Sequence, residues 1–417
     1  MVNVLAAAVS KISRARLWND HQCLAEFGKL SNGGVNRQAL SEQEWEARTV
    51  LIQWGDDFGL SAATDEMGNF FLRLEGSEPS LPPVVIGSHI DSQPTGGKFD
   101  GAFGVLASLE VLRAIRETGV LPRRSIELVA WMNEEGSRFA PGMMGSAAFC
   151  GARDIEKILA VRDANNISVA DELEIMRKRF PLLPVRKLGF PIHAYIEPHI
   201  EQGPVLERKL HKIGVVTGIQ GKQTFRVDVK GEEAHAGTTP RAARKDALIA
   251  AISLVSKLDK ITRDQKDVTR FTVGRFTVQP NAPSVVPAQV SFSIDLRHPN
   301  SKILDHLGTE ILKVCSNHSS PCHVECEMLV NDPPVVFSKI LQEQIASAAK
   351  QLNLNAMSIL SAAGHDAKFL ARVCPTGMIF VPCKDGVSHS EAESAEQDDL
   401  YAGAQVLCQV ACHQAGA

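Results

Sequence analysis

The sequence contains no long hydrophobic run. Its apolar stretches, such as residues 81–86, are far shorter than the ~20 residues that a membrane-spanning helix needs. Residues 1–16 are typical of a short amphipathic helix whose basic residues follow the apolar stretch, the reverse of their order in a secretory signal. The sequence therefore predicts a cytoplasmic protein with no membrane as a partner.

The sequence also lacks a disulfide-like cysteine pattern and a large net charge. The nine cysteines are scattered, and their odd number favours reduced thiols over a disulfide framework. The pairs Cys322/Cys326 and Cys408/Cys412 are not joined into one four-ligand set, so we do not interpret them as a metal site. The formal net charge is only −4 over 417 residues, which does not indicate nucleic acid as a partner.

The sequence does contain alternating helix-like and strand-like segments. Apolar residues recur at helical spacing over 41–59 and 103–118. Strand-like apolar runs lie at 69–74, 83–87, 125–132, 194–196 and 377–381. This alternation predicts an α/β fold with a central mixed, largely parallel sheet.

A second domain is predicted within the first. Over residues 214–330, strand-like and helical segments follow a β-α-β-β-α-β-like order, which is typical of a small ferredoxin-like α+β sandwich. One of its strands is expected over 271–278. Turn-forming residues at 218–221 and 331–334 bracket the segment. We therefore predict one domain from residues 1–213 and 331–417, and an inserted domain at 214–330.

Three polar residues follow the strand-like run at 83–87. His89 lies where the strand ends of an α/β sheet place ligands. We expect the Asp91 carboxylate to accept a ring N–H of His89, which would fix the tautomer of a metal-binding imidazole. Asp100 lies in a glycine-flanked turn, where the backbone can approach a small ligand closely. An isolated His-x-Asp is usually part of an ordinary turn, but Asp100 downstream favours a metal site.

Two adjacent carboxylates, Glu134 and Glu135, follow the strand-like run at 125–132. Such neighbours repel each other unless a cation is near or one of them takes up a proton. A metal site removes the conflict if one glutamate is a ligand and the other is the general base on a metal-bound water. The alternative is that the pair only caps the following segment.

Two histidines, His199 and His389, also follow strand-like segments. Either one alone is more often a structural or surface residue. Together with His89, Asp100 and Glu135, they form a mixed nitrogen and oxygen donor set. Such a set suits Zn²⁺, Mn²⁺, Co²⁺ or Ni²⁺ better than Ca²⁺.

Three residues of the inserted domain have side chains suited to a ligand. His235 lies among small residues before a helix and can stabilise developing negative charge. Asn281 lies in a proline-flanked turn, where its amide can meet a ligand. Arg297 ends a strand, and its guanidinium can hold a carboxylate in a two-pronged fork. Ordinary roles in turns and at the surface remain open for all three.

The motifs around these residues resemble the M20-type metallopeptidase superfamily, and within it the hydantoinase/carbamoylase branch. That branch contains N-carbamoyl-L-amino acid hydrolases, β-ureidopropionases and allantoate amidohydrolases. The similar segments run in order from about residue 40 to the C-terminus: GSHIDSQPTGGKFDG, NEEGSRF, PHIEQGPVLE, AHAGTTP, PNAPSVVP, DLRHP, AAGHDA and GVSHSEAE. HIEQGP together with AHAGTTP is specific to this branch. Two departures, Pro198 and the Ala362-Ala363 pair, remove none of the expected ligands.

The resemblance implies two divalent metal ions per subunit, with Zn²⁺ favoured and Mn²⁺, Co²⁺ or Ni²⁺ as alternatives. By that resemblance Asp100 bridges the ions, and His89 and His199 hold one of them. Glu135 and His389 hold the other. The implied general base is Glu134, and the implied substrate contacts are Gln202, His235, Asn281, Arg297 and His365.

The implied reaction is hydrolysis of the ureido C–N bond of a small N-carbamoyl amino acid. Ammonia, carbon dioxide and the free amino acid are the expected products, and Arg297 would bind the substrate carboxylate. The inserted domain is implied to be a lid and dimerisation module of a homodimer. Allantoate hydrolysis is the nearest alternative, and a peptidase or deacylase reaction is a second. A non-catalytic protein on the same scaffold would lack some of the ligands, and none is missing here.

Overall fold

The computed structural model describes residues 2–318 and 321–417, so Met1 of the predicted N-terminal helix lies outside the described residues. The helices are α1 (Val2–Lys11), α2 (Arg14–Leu24), α3 (Glu42–Asp56), α4 (Ala102–Glu117), α5 (Met144–Phe149), α6 (Ile155–Leu159), α7 (Val169–Arg179), α8 (Val205–Arg208), α9 (Ala247–Thr262), α10 (Ser301–Ser316), α11 (Lys339–Gln351), α12 (Ala367–Leu370) and α13 (Gln397–Ala415). The strands are β1 (Ser61–Asp65), β2 (Phe70–Leu74), β3 (Val84–His89), β4 (Ile126–Trp131), β5 (Val185–Arg186), β6 (Ala194–Ile200), β7 (Ile213–Ile219), β8 (Gly221–Lys230), β9 (Ala234–His235), β10 (Arg270–Thr272), β11 (Phe276–Gln279), β12 (Val285–Val286), β13 (Gln289–His298), β14 (His323–Asp332), β15 (Val335–Val336), β16 (Ala356–Ser361) and β17 (Thr376–Val381).

The chain divides into two units. One combines Met1–Thr217 with Val336–Ala417, and the other is Gly218–Val335. The inserted segment expected from the sequence, 214–330, begins and ends a few residues earlier than the second unit. Across the described part of the chain, no helix is long and apolar enough to cross a membrane.

The sheet of the first unit contains strands in the order β7-β17-β6-β3-β4-β2-β1-β5, with β16 paired to β7. Its central strands β17, β6, β3 and β4 run parallel to one another. The pairs β4/β2, β2/β1 and β7/β17 are antiparallel. The predicted mixed, largely parallel sheet is confirmed.

Helix α4 packs on the centre of this sheet, against β3, β4 and β6. Its residues from Ala102 to Ile115 are all buried, because α13 covers α4 and also contacts β17. Strands β3, β4 and β17 are buried along their whole length. A parallel strand covered on both faces favours a nearly continuous apolar run over an alternating one, and these segments show that pattern apart from Glu127 in β4 and the polar end of β3.

The second unit has a sheet of order β10-β13-β8-β14, on which α9 and α10 pack. The pairs in this sheet are antiparallel. Alternate residues of β8 and β13, such as Phe225, Val227 and Phe292, are buried and share one apolar core with residues of the two helices. This arrangement has the β-α-β-β-α-β order that the sequence predicts.

The prediction of a single strand over 271–278 is wrong, because the structure divides this segment into β10 and β11. Thr272 of β10 aligns with Asp295, whereas Phe276 of β11 aligns with Phe292. The aligned positions advance by one residue more on this segment than on β13, as in a β-bulge. Ser293 Oγ accepts a hydrogen bond from the Arg275 backbone N–H there at 3.0 Å. The apolar residues change phase at the break, from the odd positions Phe271 and Val273 to the even positions Phe276 and Val278, so the sequence does carry a sign of it.

Candidate metal centre

The carboxyl ends of the central parallel strands meet at one edge of the large sheet. His89 is the last residue of β3, and His199 is the penultimate residue of β6. Glu134 and Glu135 follow β4 after a short turn. The strand predicted at 194–196 is therefore longer than expected, since His199 lies inside it rather than after it. Polar side chains from separate parts of the sequence are brought together in this way.

The first group of donor atoms consists of His89, Asp100 and His199. All three residues are buried, and one donor atom from each lies within 4.8 Å of the others. Asp100 Oδ1 is 3.2 Å from His199 Nε2 and 3.8 Å from His89 Nε2.

Backbone carbonyls fix the orientation of both rings in this group. His89 Nδ1 lies 3.0 Å from the carbonyl oxygen of Asp91, and His199 Nδ1 lies 2.9 Å from that of Ile200. Because a carbonyl oxygen can only accept, each Nδ1 carries a proton and each Nε2 presents its lone pair, and in His199 this Nε2 lies 3.2 Å from the backbone nitrogen of Gly101. Both Nε2 atoms face Asp100, which is the orientation that a metal-binding histidine requires.

Asp91 faces the His89 ring with two oxygens. Its backbone carbonyl lies 3.0 Å from His89 Nδ1 and its carboxylate Oδ1 lies 3.5 Å from the same nitrogen, so the carbonyl is the nearer acceptor and the role expected of the carboxylate stays a prediction. The Asp91 carboxylate also accepts hydrogen bonds from the backbone N–H groups of Glu134 and Glu135, each at 3.1 Å. It therefore fixes the turn that carries the two glutamates.

The second group consists of Asp100, Glu135 and His389, whose donor atoms also lie within 4.8 Å of one another. His389 Nε2 is 3.3 Å from Asp100 Oδ2 and 3.4 Å from Glu135 Oε2. Half of the His389 side chain is exposed, in contrast to the buried donors of the first group. Asp100 thus turns one carboxylate oxygen toward each group, which is the geometry of a bridging ligand.

Glu134 lies beside the first group, with Oε2 at 3.6 Å from His89 Nε2. Burial raises the pKa of Glu134 well above its ordinary value, and the carboxylates of Asp366, Glu135 and Asp91 raise it further, although His89 opposes them. Crowded carboxylates of this kind are relieved by a cation. Together with the converging imidazole lone pairs, they show that these donors fit a divalent metal ion.

Gln202 is also part of this centre. Its Nε2 donates a hydrogen bond to Asp100 Oδ2 at 2.8 Å and lies 3.3 Å from Ser388 Oγ. His365 lies deeper, since it is 1% exposed and its ring centroid is 4.5 Å from that of His199 in an edge-to-face arrangement. Contact of either residue with a substrate stays a prediction.

The three candidates of the inserted domain lie in the second unit. His235 is exposed, and its Nδ1 accepts hydrogen bonds from the backbone N–H groups of Gly237 at 3.0 Å and Thr238 at 3.1 Å. The proton of a neutral ring is therefore on Nε2, which can donate. Asn281 is exposed in its turn with φ of 56°.

Arg297, the third candidate, forms a two-pronged ion pair within its own strand. Its Nε lies 2.8 Å from Oδ1 of Asp295, and its Nη2 lies 3.2 Å from Oδ2. The roles of His235, Asn281 and Arg297 toward a substrate stay predictions.

Sequence reasoning did not single out Glu393 and Gln93, which contact the proposed ligands. Glu393 Oε1 accepts the backbone N–H of Asp100 at 3.0 Å, and its Oε2 accepts Ser388 Oγ at 2.9 Å. Gln93 Nε2 donates to Glu135 Oε2 at 2.8 Å. Both residues lie inside the motifs that carry the resemblance, but no spacing rule connects them to their partners.

Comparisons with known proteins agree with this geometry. The model of peptidase family M20/M25/M40 matches residues 85–413. The N-carbamoyl-L-amino-acid amidohydrolase of Rhizobium meliloti is 38% identical over 402 residues, which is 95% of each chain. The enzyme of the same name from Pseudomonas sp. (strain NS671) is 39% identical over 95% of this chain and 97% of its own. A crystal structure of a hydantoinase/carbamoylase family amidase from Burkholderia multivorans has a TM-score of 0.90 and 38% identity, and covers 98% of this chain and 99% of its own.

Proposed function

Because the chain belongs to the peptidase M20/M25/M40 family, we propose that it is a metal-dependent amidohydrolase that cleaves the ureido C–N bond of an N-carbamoyl amino acid. The observation that carries this proposal is the position of Asp100, which turns one oxygen to each of two groups of metal-binding side chains. The names of the similar amidohydrolases support the substrate class. The bond that is attacked is a carbon–nitrogen bond other than a peptide bond.

Two divalent ions per subunit are proposed at this centre. His89, His199 and Asp100 would hold one ion. Asp100, Glu135 and His389 would hold the other. When bound, such ions lower the pKa of a nearby water and polarise the carbonyl group that is attacked. We favour Zn²⁺, with Mn²⁺, Co²⁺ or Ni²⁺ as alternatives, because the donors mix imidazole nitrogen with carboxylate oxygen.

Glu134 is proposed as the general base. It is close to His89 and its side chain is only 10% exposed, so its carboxylate is held near the proposed metal positions and away from bulk water. It would accept a proton from the attacking water and return that proton to the leaving nitrogen. Burial raises the pKa of Glu134 above its ordinary value, which makes the carboxylate a stronger base for the first step.

The proposed substrate contacts have different roles in binding. His235 would donate Nε2–H to the oxygen that becomes negative in the tetrahedral intermediate. Arg297 would bind the substrate carboxylate through the two-pronged geometry that it already shows with Asp295. Gln202, Asn281 and His365 are proposed as further contacts.

The remaining proposals concern the assembly and its surroundings. We propose a homodimer in which the second unit acts as lid and dimerisation module, as the resemblance implies. We propose the cytoplasm as its location, on the grounds of its scattered cysteines, whose odd number favours reduced thiols. The partner in the reaction is a small ureido acid rather than nucleic acid or membrane.

The test of the proposed function is ammonia release by metal-stripped protein that is reconstituted separately with Zn²⁺, Mn²⁺, Co²⁺ or Ni²⁺. The panel contains N-carbamoyl-α-amino acids of both hands, N-carbamoyl-β-alanine and allantoate. Metal-dependent turnover of an N-carbamoyl amino acid is expected. Turnover of allantoate alone would change the proposed substrate and leave the proposed site unchanged. No ammonia release from any compound in the panel would contradict the proposal and favour an acyl or peptide amide as substrate.

A further inference from the structure

Gln93 lies in the segment after β3 and contacts the Glu135 carboxylate. Its side-chain Nε2 donates a hydrogen bond to Glu135 Oε2 at 2.8 Å. The same oxygen lies 3.4 Å from His389 Nε2, within the second group of donor atoms. The Glu135 side chain is only 5% exposed, so Gln93 occupies one of the few positions from which this carboxylate can be reached.

The backbone around this contact is held without Gln93. The Asp91 carboxylate accepts the N–H groups of Glu134 and Glu135, and Ser137 Oγ donates to the backbone carbonyl of Ser92 at 3.0 Å. Removal of the Gln93 amide would therefore leave the turn in place. It would release the Glu135 carboxylate to rotate about its last side-chain bond.

A neutral amide is a suitable partner for a carboxylate that binds a metal. Its N–H occupies one lone pair of Oε2 and leaves the other lone pairs of the carboxylate free for a metal ion. Unlike lysine or arginine, it brings no positive charge that would repel the ion. Partners that orient a ligand in this way commonly change metal affinity by roughly 10–100-fold.

We propose that Gln93 is a positioning residue for the second metal position, where it orients the Glu135 carboxylate toward Asp100 and His389. The inference rests on the proposed function, since it concerns a metal ion at that position. It concerns one position only, because Gln93 touches no residue of the His89/His199 pair in the contacts that the structure shows. The orientation of Glu135 depends on the hydrogen-bond donor of Gln93 and not on the size of its side chain.

The test compares Zn²⁺ binding by the full-length, metal-stripped wild type, Gln93→Met and Ser137→Ala, measured by titration calorimetry. Methionine keeps the length of glutamine and removes the donor. Ser137→Ala removes the neighbouring hydrogen bond to Ser92 and does not touch Glu135, so it is the matched control. We expect Gln93→Met to weaken one of two Zn²⁺ sites by roughly 10–100-fold and to leave the other site unchanged. The control should keep both affinities although it loses a hydrogen bond that holds the turn, and the urea midpoint of metal-free Gln93→Met should equal that of the wild type.

A double-mutant cycle shows whether Gln93 acts through its partner. In a Glu135→Ala background, which lacks the second site, adding Gln93→Met should leave the remaining Zn²⁺ affinity unchanged. Equal affinities in the wild type and Gln93→Met, or an equal loss at both sites, would overturn this inference while leaving the proposed function intact. A wild type that binds no Zn²⁺ would overturn the proposed function and this inference with it.

Discussion

Glu393 holds Asp100 by its backbone, with Oε1 accepting the Asp100 N–H at 3.0 Å. The same oxygen accepts the N–H of Phe99 at 2.9 Å, and Oε2 accepts Ser388 Oγ. Ser388 immediately precedes His389. One buried side chain therefore connects the turn that carries Asp100 with the loop that carries His389.

Replacing Glu393 with alanine should destabilise the protein. The N–H groups of Phe99 and Asp100 would lose their acceptor in a buried place, and an orphaned buried group costs about 1–3 kcal/mol. We expect the free energy of unfolding of the metal-free protein to fall by that amount or more, as measured by urea denaturation. Glu391→Ala is the control, since Glu391 lies in the same loop and its bond to Asn32 is exposed. Equal stabilities of the two variants would contradict the role of Glu393.

Gly101 provides a second prediction, because it has φ of 63° and a side chain at that position would overlap the His89 ring. Gly101→Ala should therefore lower the free energy of unfolding for two reasons. One is backbone strain of roughly 1–2 kcal/mol, and the other is displacement of the His89 ring. Gly151→Ala is the matched control, because Gly151 has φ of 65° and open space around it. Both variants should lose stability in urea, but only Gly101→Ala should also lose Zn²⁺ affinity. Retained affinity in Gly101→Ala would show that the ring tolerates the methyl group.

The sequence predicted the parts of this molecule that local patterns encode. The nearly continuous apolar runs of β3 and β4 reveal buried parallel strands, and motif resemblance identified His89, Asp100 and Glu135 as candidates that the fold then brings together. The bulge between β10 and β11 is also encoded locally, since the apolar residues shift there from odd positions (Phe271, Val273) to even positions (Phe276, Val278).

Contacts between distant segments could not be predicted in the same way. Glu393 and Asp100 are 293 positions apart, so no periodicity relates them. The predicted Asp91–His89 contact shows the limit at short range, since the Asp91 carbonyl, which the motif did not indicate, lies closer to His89 Nδ1 (3.0 Å) than the expected carboxylate does (3.5 Å). A motif identifies which residues cooperate, whereas the atoms that meet depend on backbone dihedral angles that the motif does not specify.

The third prediction concerns acid stability and His21. This ring is 1% exposed, with its centroid 5.3 Å from that of Phe99 and 6.3 Å from that of Phe103. Burial lowers the pKa of His21 to about 3, which is below the ordinary value of 6.5 in the unfolded chain. Below pH 6.5 the unfolded chain therefore binds a proton that the folded protein does not, and stability is lost as the pH falls toward 3.

Replacing His21 with leucine should remove this part of the acid sensitivity. Between pH 7 and pH 5 the wild type should lose about 2 kcal/mol more of its free energy of unfolding than His21→Leu, since each pKa unit corresponds to about 1.4 kcal/mol. Urea denaturation of the metal-free proteins at both pH values measures the difference. His306→Gln, an exposed histidine on α10, should follow the wild type. Parallel pH profiles for His21→Leu and the wild type would contradict the prediction.

The fourth prediction separates the two adjacent glutamates by their chemistry. Glu134→Gln removes a base but no proposed ligand, so it should bind two Zn²⁺ ions and lose turnover by roughly 10²–10⁴-fold or more. Glu135→Gln replaces a charged ligand by a neutral amide, so it should lose Zn²⁺ at one position together with activity. Metal content by atomic absorption and ammonia release measure the two effects on the same samples. Since Asp91 holds both residues by their backbone N–H groups, neither variant should disturb the turn. Full activity in Glu134→Gln would exclude Glu134 as the base, and a loss of one ion in that variant would make it a ligand.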